Sequence, residues 1–168
     1  CFPKDVKAFA STAKKKNIDL SIINAVNKSN QERINKISKK ILSLLKNNSS
    51  IAFLGLSFKP NTDDVRDSTS MKIASKLFEK GHIVQCYDPQ AINNAKKENN
   101  NLVYYNSAYE ACEGVSAIII GTEWNEFRAL DFKKISISLE DKIIFDLRNI
   151  YNPEELKEMG FDYYGVGK

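Results

Sequence analysis

Apolar residues recur along this chain with two different periods, and the change of period divides it. From Val6 to Leu44 they return at spacings of three and four, which is the repeat of one helix face. Val6, Phe9, Ala10 and Ala13 mark a short helix, favoured at its start by Pro3 and ending near Asn17. Leu20, Ile23, Asn27, Asn30, Ile34, Ile37, Ile41 and Leu44 then form a heptad stripe that predicts a second helix reaching Lys46, ~40 Å long at the helical rise per residue. So narrow a stripe on so long a helix calls for a partner helix, in a second copy or in sequence outside this chain. The two Asn residues would set its register. The plainer alternative is that it packs only on its own domain.

Past Asn47-Asn48-Ser49-Ser50 the pattern becomes short apolar runs between helical segments. Strands are expected near Ile51–Gly55, Ile83–Tyr87, Leu102–Tyr104, Ala117–Gly121, Ile143–Asp146 and Tyr163–Val166. Helices are expected at Thr69–Lys80, Ala91–Lys97, Ser107–Cys112, Asn125–Ala129 and Pro153–Met159. Apolar strands alternating with helices imply an α/β fold, with a mostly parallel six-stranded sheet covered on both faces. The chain then reads as a helical arm, residues 1–48, and a Rossmann-like domain, residues 49–168. Ligands of such sheets bind beyond the carboxyl ends of the strands. The loops after residues 55, 87, 121 and 146 are therefore the ones to examine.

Composition narrows the class. With 42% apolar and 27% charged residues in 168, the chain is an ordinary globular protein with room for a real core. It has no apolar run of membrane-spanning length and no secretory pattern at its start, so no membrane partner is expected and the cytosol is the expected compartment. The absence of an initial Met suggests a fragment. Residues 1–48 carry a balance of +8 and residues 49–168 of −4. The lysines of the basic arm fall among helical apolar positions without interleaved aromatics, which reads as a solvated helix face rather than a nucleic-acid surface. Cys1, Cys86 and Cys112 are too few and too widely spaced for a disulfide framework or a zinc site, and no metal is expected. Cys86 and Cys112 fall in apolar patterns as small core residues. The single His82, just before an apolar strand, reads as structural.

The first strand is where a dinucleotide-binding fold would carry a glycine-rich turn, and that turn is absent. In its place Leu56-Ser57-Phe58-Lys59-Pro60-Asn61-Thr62-Asp63-Asp64-Val65-Arg66-Asp67-Ser68 forms a βα loop long enough to suggest a function, with two cations seven residues apart and Ser68 placed to cap the next helix. A polar surface loop accounts for the same composition. Asp88 follows the second strand as a ribose-binding acid would, but without the glycine fingerprint a turn or cap role is preferred. Trp124 and Tyr87 stand at strand ends, where aromatic residues more often pack than line a cleft.

The segment from Gly55 to Ser68 resembles the pattern of the UDP-glucose and GDP-mannose dehydrogenase family, and Cys1-Phe2-Pro3-Lys4-Asp5-Val6-Lys7-Ala8 is similar to the stretch that holds that family's catalytic cysteine. Tyr87-Asp88-Pro89, Thr122-Glu123-Trp124-Asn125-Glu126-Phe127, Asp146-Leu147-Arg148-Asn149 and Tyr164-Gly165-Val166-Gly167-Lys168 extend the match along the chain. The resemblance implies the C-terminal part of an NAD-dependent enzyme whose N-terminal NAD domain is missing. UDP-glucose would be oxidised to UDP-glucuronate through a covalent cysteine adduct. It further implies that Cys1 is the nucleophile and that Asp5 helps activate water. Phe58, Lys59 and Arg148 would bind the UDP-sugar, Lys4 and Arg66 would contact NAD, and the long helix would form a homodimer. Lys4 and Lys7 would favour the thiolate of Cys1. Phe2 after the cysteine favours the UDP-glucose branch over GDP-mannose. A reading of another class is a free-standing nucleotide-sugar-binding and dimerisation module without catalysis.

Overall fold

The computed structural model describes residues 2–167. Two compact units meet in sequence between Lys40 and Ile41. In the first, α1 spans Phe2–Lys15. Asn17 ends it in the left-handed region (φ 57°), with Ile18 N donating to Ala13 O at 3.0 Å and Asn17 N to Lys14 O at 3.1 Å. These two bonds satisfy carbonyls that the last turn leaves without partners. Helix α2, Ser21–Leu44, has 24 residues, or ~36 Å, and so ends two residues short of the expected Lys46.

Burial varies along the stripe of α2. Of the heptad stripe, Leu20, Ile23, Asn27, Ile34 and Ile37 are half-buried. Ile41, which belongs to the second unit, is only 1% exposed and is not available to a partner helix. Apolar side chains open to solvent include Phe9, Ile18, Ile22 and Val26, at 57%, 58%, 78% and 40%, and also Leu44 of the stripe, at 38%. Ile22 and Val26 lie four residues apart on a line of α2 offset from the stripe, and Ile18 precedes the helix.

The second unit is a six-stranded parallel sheet. Its elements, in chain order, are β1 Ser50–Leu54, α3 Thr69–Glu79, β2 Ile83–Tyr87, α4 Ile92–Glu98, β3 Val103–Tyr104, α5 Ala108–Ala111, β4 Ala117–Ile120, α6 Asn125–Arg128, α7 Phe132–Ile135, β5 Ile143–Asp146, α8 Pro153–Glu158 and β6 Asp162–Gly165. The strand order is β3-β2-β1-β4-β5-β6, so the chain reverses direction across the sheet between β1 and β4. Every strand position expected from the apolar runs is occupied. Helix α7 was not anticipated: its one turn is too short to show a period, and Asp131 starts it by accepting from the amides of Lys133 and Lys134.

The runs are continuously apolar because both faces of the sheet are covered. Ala52, Leu54, Ile118, Ile120 and Ile144 point into one core with Ala111, Cys112, Phe127, Leu156 and Phe161. Their neighbours Ile51, Phe53, Ile119 and Phe145 are equally buried. Each such side chain removed from water contributes ~1.5–3 kcal/mol. Cys86 and Cys112 are free thiols with no exposure, as their patterns suggested, and burial pushes both thiols up, Cys112 to about 12. His82 is buried directly after the Gly81 turn, where its amide donates to Leu77 O. Among the described residues no helix is long and apolar enough to cross a membrane.

Two glycines let the central strands end together. A Cβ on Gly121 would lie 2.4 Å from Gly55 O and 2.5 Å from the Phe53 ring. One on Gly55, whose φ is +90°, would lie 2.6 Å from Thr122 Cβ. The loops after β1 and β4 therefore leave the sheet in direct contact, at the reversal of strand order where parallel sheets bind ligands.

Candidate functional site

The loop from Leu56 to Ser68 is held at its base and open at its tip. All four backbone polar groups of Leu56 and Ser57 have partners. Asp88 Oδ2 accepts from Leu56 N at 2.8 Å and Ser57 N at 3.0 Å, Ser68 Oγ donates to Leu56 O at 2.6 Å, and Thr122 Oγ1 donates to Ser57 O at 2.6 Å. The same Asp88 oxygen accepts from Ser57 Oγ at 3.0 Å and from Trp124 Nε1 at 3.2 Å. Its other oxygen accepts from Gln90 N at 3.0 Å and Ala91 N at 2.8 Å, turning the chain after β2. Asp88, Ser57 and Thr122 have no exposure and Trp124 has 5%. Six donors from the loops after β1, β2 and β4 thus meet one buried carboxylate, which offsets the cost of removing it from water.

This arrangement bears on the missing glycine-rich turn. In a dinucleotide site the amides after β1 point at pyrophosphate. Here those of Leu56 and Ser57 point at Asp88, so this crevice does not fit the diphosphate of NAD in the usual manner. The turn and cap role expected of Asp88 is present, but the larger part of its work, holding the β1 loop, was not foreseen. The signal for it was an acidic residue between an apolar strand and a proline.

Beyond this base the chain turns outward. Phe58 is 39% exposed and Lys59 is exposed, with Nζ 5.3 Å from the Phe58 ring centroid. Phe58 N donates to Asp64 O at 3.1 Å and closes the loop. Arg66 stands on the returning limb, and its Nε and Nη2 reach the two carboxylate oxygens of Asp64 at 3.0 and 2.7 Å. Both groups lie at the surface, and the Arg66 hydrogen bonds pull the Asp64 carboxyl from its ordinary 3.8 down to about 2.

Arg148 leaves the end of β5, on the same carboxyl edge of the sheet. Its backbone amide donates to Asp146 Oδ1 at 3.0 Å and its Nε to Gly121 O at 2.8 Å, with the Glu123 carboxylate 3.1 Å away. Asp146 is fully buried and accepts also from Tyr151 N and Tyr163 OH, both at 3.1 Å. Burial, with Asp146 nearby, pushes the Tyr151 and Tyr163 hydroxyls up. Tyr87 is likewise interior, donating to Glu126, so Trp124 and Tyr87 both pack beneath the loops rather than lining an open cleft.

Of the residues expected to form a site, Phe58, Lys59 and Arg66 share one loop, and Arg148 adjoins the strand end next to it. Lys4 and Asp5 lie in the first turn of α1, both exposed, in the other unit. Cys1 lies outside the described residues. The depressions of about 400 Å³ beside α8 and β6 and about 220 Å³ at Arg128, Phe132 and Tyr151 contain none of these residues.

Comparison with known proteins agrees with this geometry. Residues 52–153 match the UDP-glucose/GDP-mannose dehydrogenase family, UDP binding domain. The whole chain resembles UDP-glucose 6-dehydrogenase of Rickettsia bellii, 45% identical over 99% of this chain and 40% of that protein. Among solved structures it resembles a UDP-glucose dehydrogenase from Pyrobaculum islandicum, at 28% identity and TM-score 0.75 over 99% of this chain and 37% of that one. It also resembles a UDP-D-ManNAc dehydrogenase from Pyrococcus horikoshii, at 28% identity and TM-score 0.78 over 99% and 38%. The chain spans about 40% of the length of the first of these relatives.

The Asp64–Arg66 pair yields a test of the loop. Asp64 is depressed in the folded chain, so its contribution to stability is present above 3.8 and lost as pH falls through about 2. In a carbon NMR titration Asp64 should show a midpoint of about 2, returning towards 3.8 in Arg66→Ala. An unchanged midpoint in that variant would detach the two side chains.

Proposed function

The chain belongs to the UDP-glucose/GDP-mannose dehydrogenase family, and from that premise we propose that it forms the UDP-sugar-binding part of an NAD-dependent UDP-glucose 6-dehydrogenase. The observation that carries this reading is the Phe58–Lys59 tip, an aromatic ring and an exposed cation presented from an immobile base at the reversal of strand order. A cation so placed suits a diphosphate, and the ring beside it suits a base or sugar face. Arg148 supplies a second cation from the end of β5. UDP-glucose is the substrate and UDP-glucuronate the product, a choice supported by the name of the relative at 45% identity.

NAD, when bound, supplies the hydride acceptor for both oxidations. Arg66, an exposed guanidinium, and Lys4 are the residues of this chain that suit its phosphates, while the crevice above β1 does not. The remaining chemistry falls to α1 and the residue before it. After the first hydride leaves the alcohol carbon, the Cys1 thiolate adds to the resulting aldehyde and forms a C–S bond. Loss of the second hydride makes a thioester. Water, activated by Asp5, then breaks the C–S bond, releasing the carboxylate and regenerating the thiolate. The chain also contributes to a homodimer through α2, whose exposed Ile22 and Val26, with Ile18 just before the helix, offer apolar surface to a second copy. The arm, residues 1–48, and the nucleotide domain, residues 49–168, divide these tasks.

Three outcomes follow. UDP should bind the 168-residue chain in calorimetry, and Lys59→Ala should weaken it about tenfold, the loss of one charge-assisted contact; equal heats would remove Lys59 from the site. In the longer enzyme, Cys1→Ser should release one NADH per site and then stall, because a hydroxyl is a poorer nucleophile and leaving group; steady turnover at two NADH per sugar would make Cys1 a bystander. Sedimentation should show a dimer that Ile22→Glu dissociates, and a monomer at all concentrations would sink the α2 interface.

A further inference from the structure

Asp88 has no place in the chemistry above, yet more of the site's geometry converges on it than on any other side chain described. Its six hydrogen bonds do two different things. Those from Gln90 and Ala91 turn its own loop, a local task that any Asx turn performs. Those from Leu56 N, Ser57 N, Ser57 Oγ and Trp124 Nε1 all fall on the other oxygen, Oδ2, and come from the loops after β1 and β4. Phe58 follows immediately and is the first residue of the loop to leave the interior. Where Phe58 and Lys59 stand is thus fixed by an atom that touches neither.

We propose that Asp88 is a positioning residue for nucleotide binding, which sets the Phe58–Lys59 tip through Leu56 and Ser57 and couples it to the loop after β4 through Trp124. The inference rests on the nucleotide reading of the tip, but the positioning itself is measurable without a ligand. Because Trp124 is the chain's single tryptophan, and its indole N–H lies 3.2 Å from both Ser57 Oγ and Asp88 Oδ2, its emission reports on this junction alone. Strand pairing does not pass through Oδ2. Losing its bonds should therefore loosen the tip before it loosens the sheet.

The test compares wild type with Asp88→Asn, which keeps the shape and replaces one acceptor by a donor, and with Trp124→Phe and Ser57→Ala, which each remove one donor should Asp88→Asn fail to fold. Amide exchange and UDP calorimetry are measured at a temperature where each variant is folded. Asp88→Asn should weaken UDP about tenfold and the single-donor variants about threefold. In each, the amides of Leu56, Ser57 and the following tip should exchange faster while those of β4 are unchanged, and Trp124 emission should shift red in Asp88→Asn. A merely structural role predicts faster exchange throughout the sheet with unaltered UDP affinity, and that result would overturn the proposal, as would variants identical to wild type. If wild type binds no UDP, the nucleotide reading fails, and exchange at the tip still decides whether Asp88 positions it.

Discussion

A carboxylate without access to water must have its lone pairs filled from inside the fold, and Asp88 fills them with six donors from three loops. Removing a charge of this kind from water costs several kcal/mol unless donors replace the lost hydration. That requirement makes the donors interdependent. Leu56 and Ser57 cannot swing outward, nor Trp124 turn away, without leaving a buried oxygen unsatisfied. The loop after β1 is therefore long and polar, as its sequence suggested, and yet anchored at both limbs, by Asp88 and Thr122 on one and by Ser68 on the other. Its freedom is confined to the residues from Phe58 onward.

The same constraint explains how a sheet with the strand order of a dinucleotide-binding fold comes to suit a different ligand. The amides that would cradle pyrophosphate are turned to an internal acid, and Gly55 with Gly121 closes the space between the strand ends. On the proposed function, recognition falls to side chains on the rim: Lys59 and Phe58 after β1, and Arg148 after β5, its Nε fixed against the Gly121 carbonyl. The chain covers about 40% of the length of its Rickettsia bellii relative.

In the helical arm, periodicity and burial diverge for a physical reason. A heptad stripe identifies the face a helix buries but not what buries it. Along α2 most of the stripe is half-buried, Ile41 wholly buried and Asn30 and Leu44 exposed, while Ile22 and Val26 on an adjoining line, and Ile18 before the helix, remain open.

What the sequence determined by itself was the order and kind of the elements. Strands buried on both faces must be continuously apolar, and a left-handed helix end selects Asn or Gly, so the six strands and the end of α1 at Asn17 were legible from residues alone. Motif resemblance added Phe58, Lys59, Arg66 and Arg148, which lie on the carboxyl edge, together with Lys4 and Asp5, which lie in α1, and Cys1, outside the described residues. The tertiary structure alone decided that Asp88 serves the β1 loop rather than a ligand, that Arg66 is held by Asp64, and that Trp124 points inward to Ser57. Each hydrogen bond to Asp88 Oδ2, like that from Trp124 Nε1 to Ser57 Oγ, joins residues some thirty or more positions apart, brought together by the placing of β1 between β2 and β4. Local periodicity carries no record of which strand lies beside which, and a hydrogen-bond partner across the sheet is chosen only when that order is set.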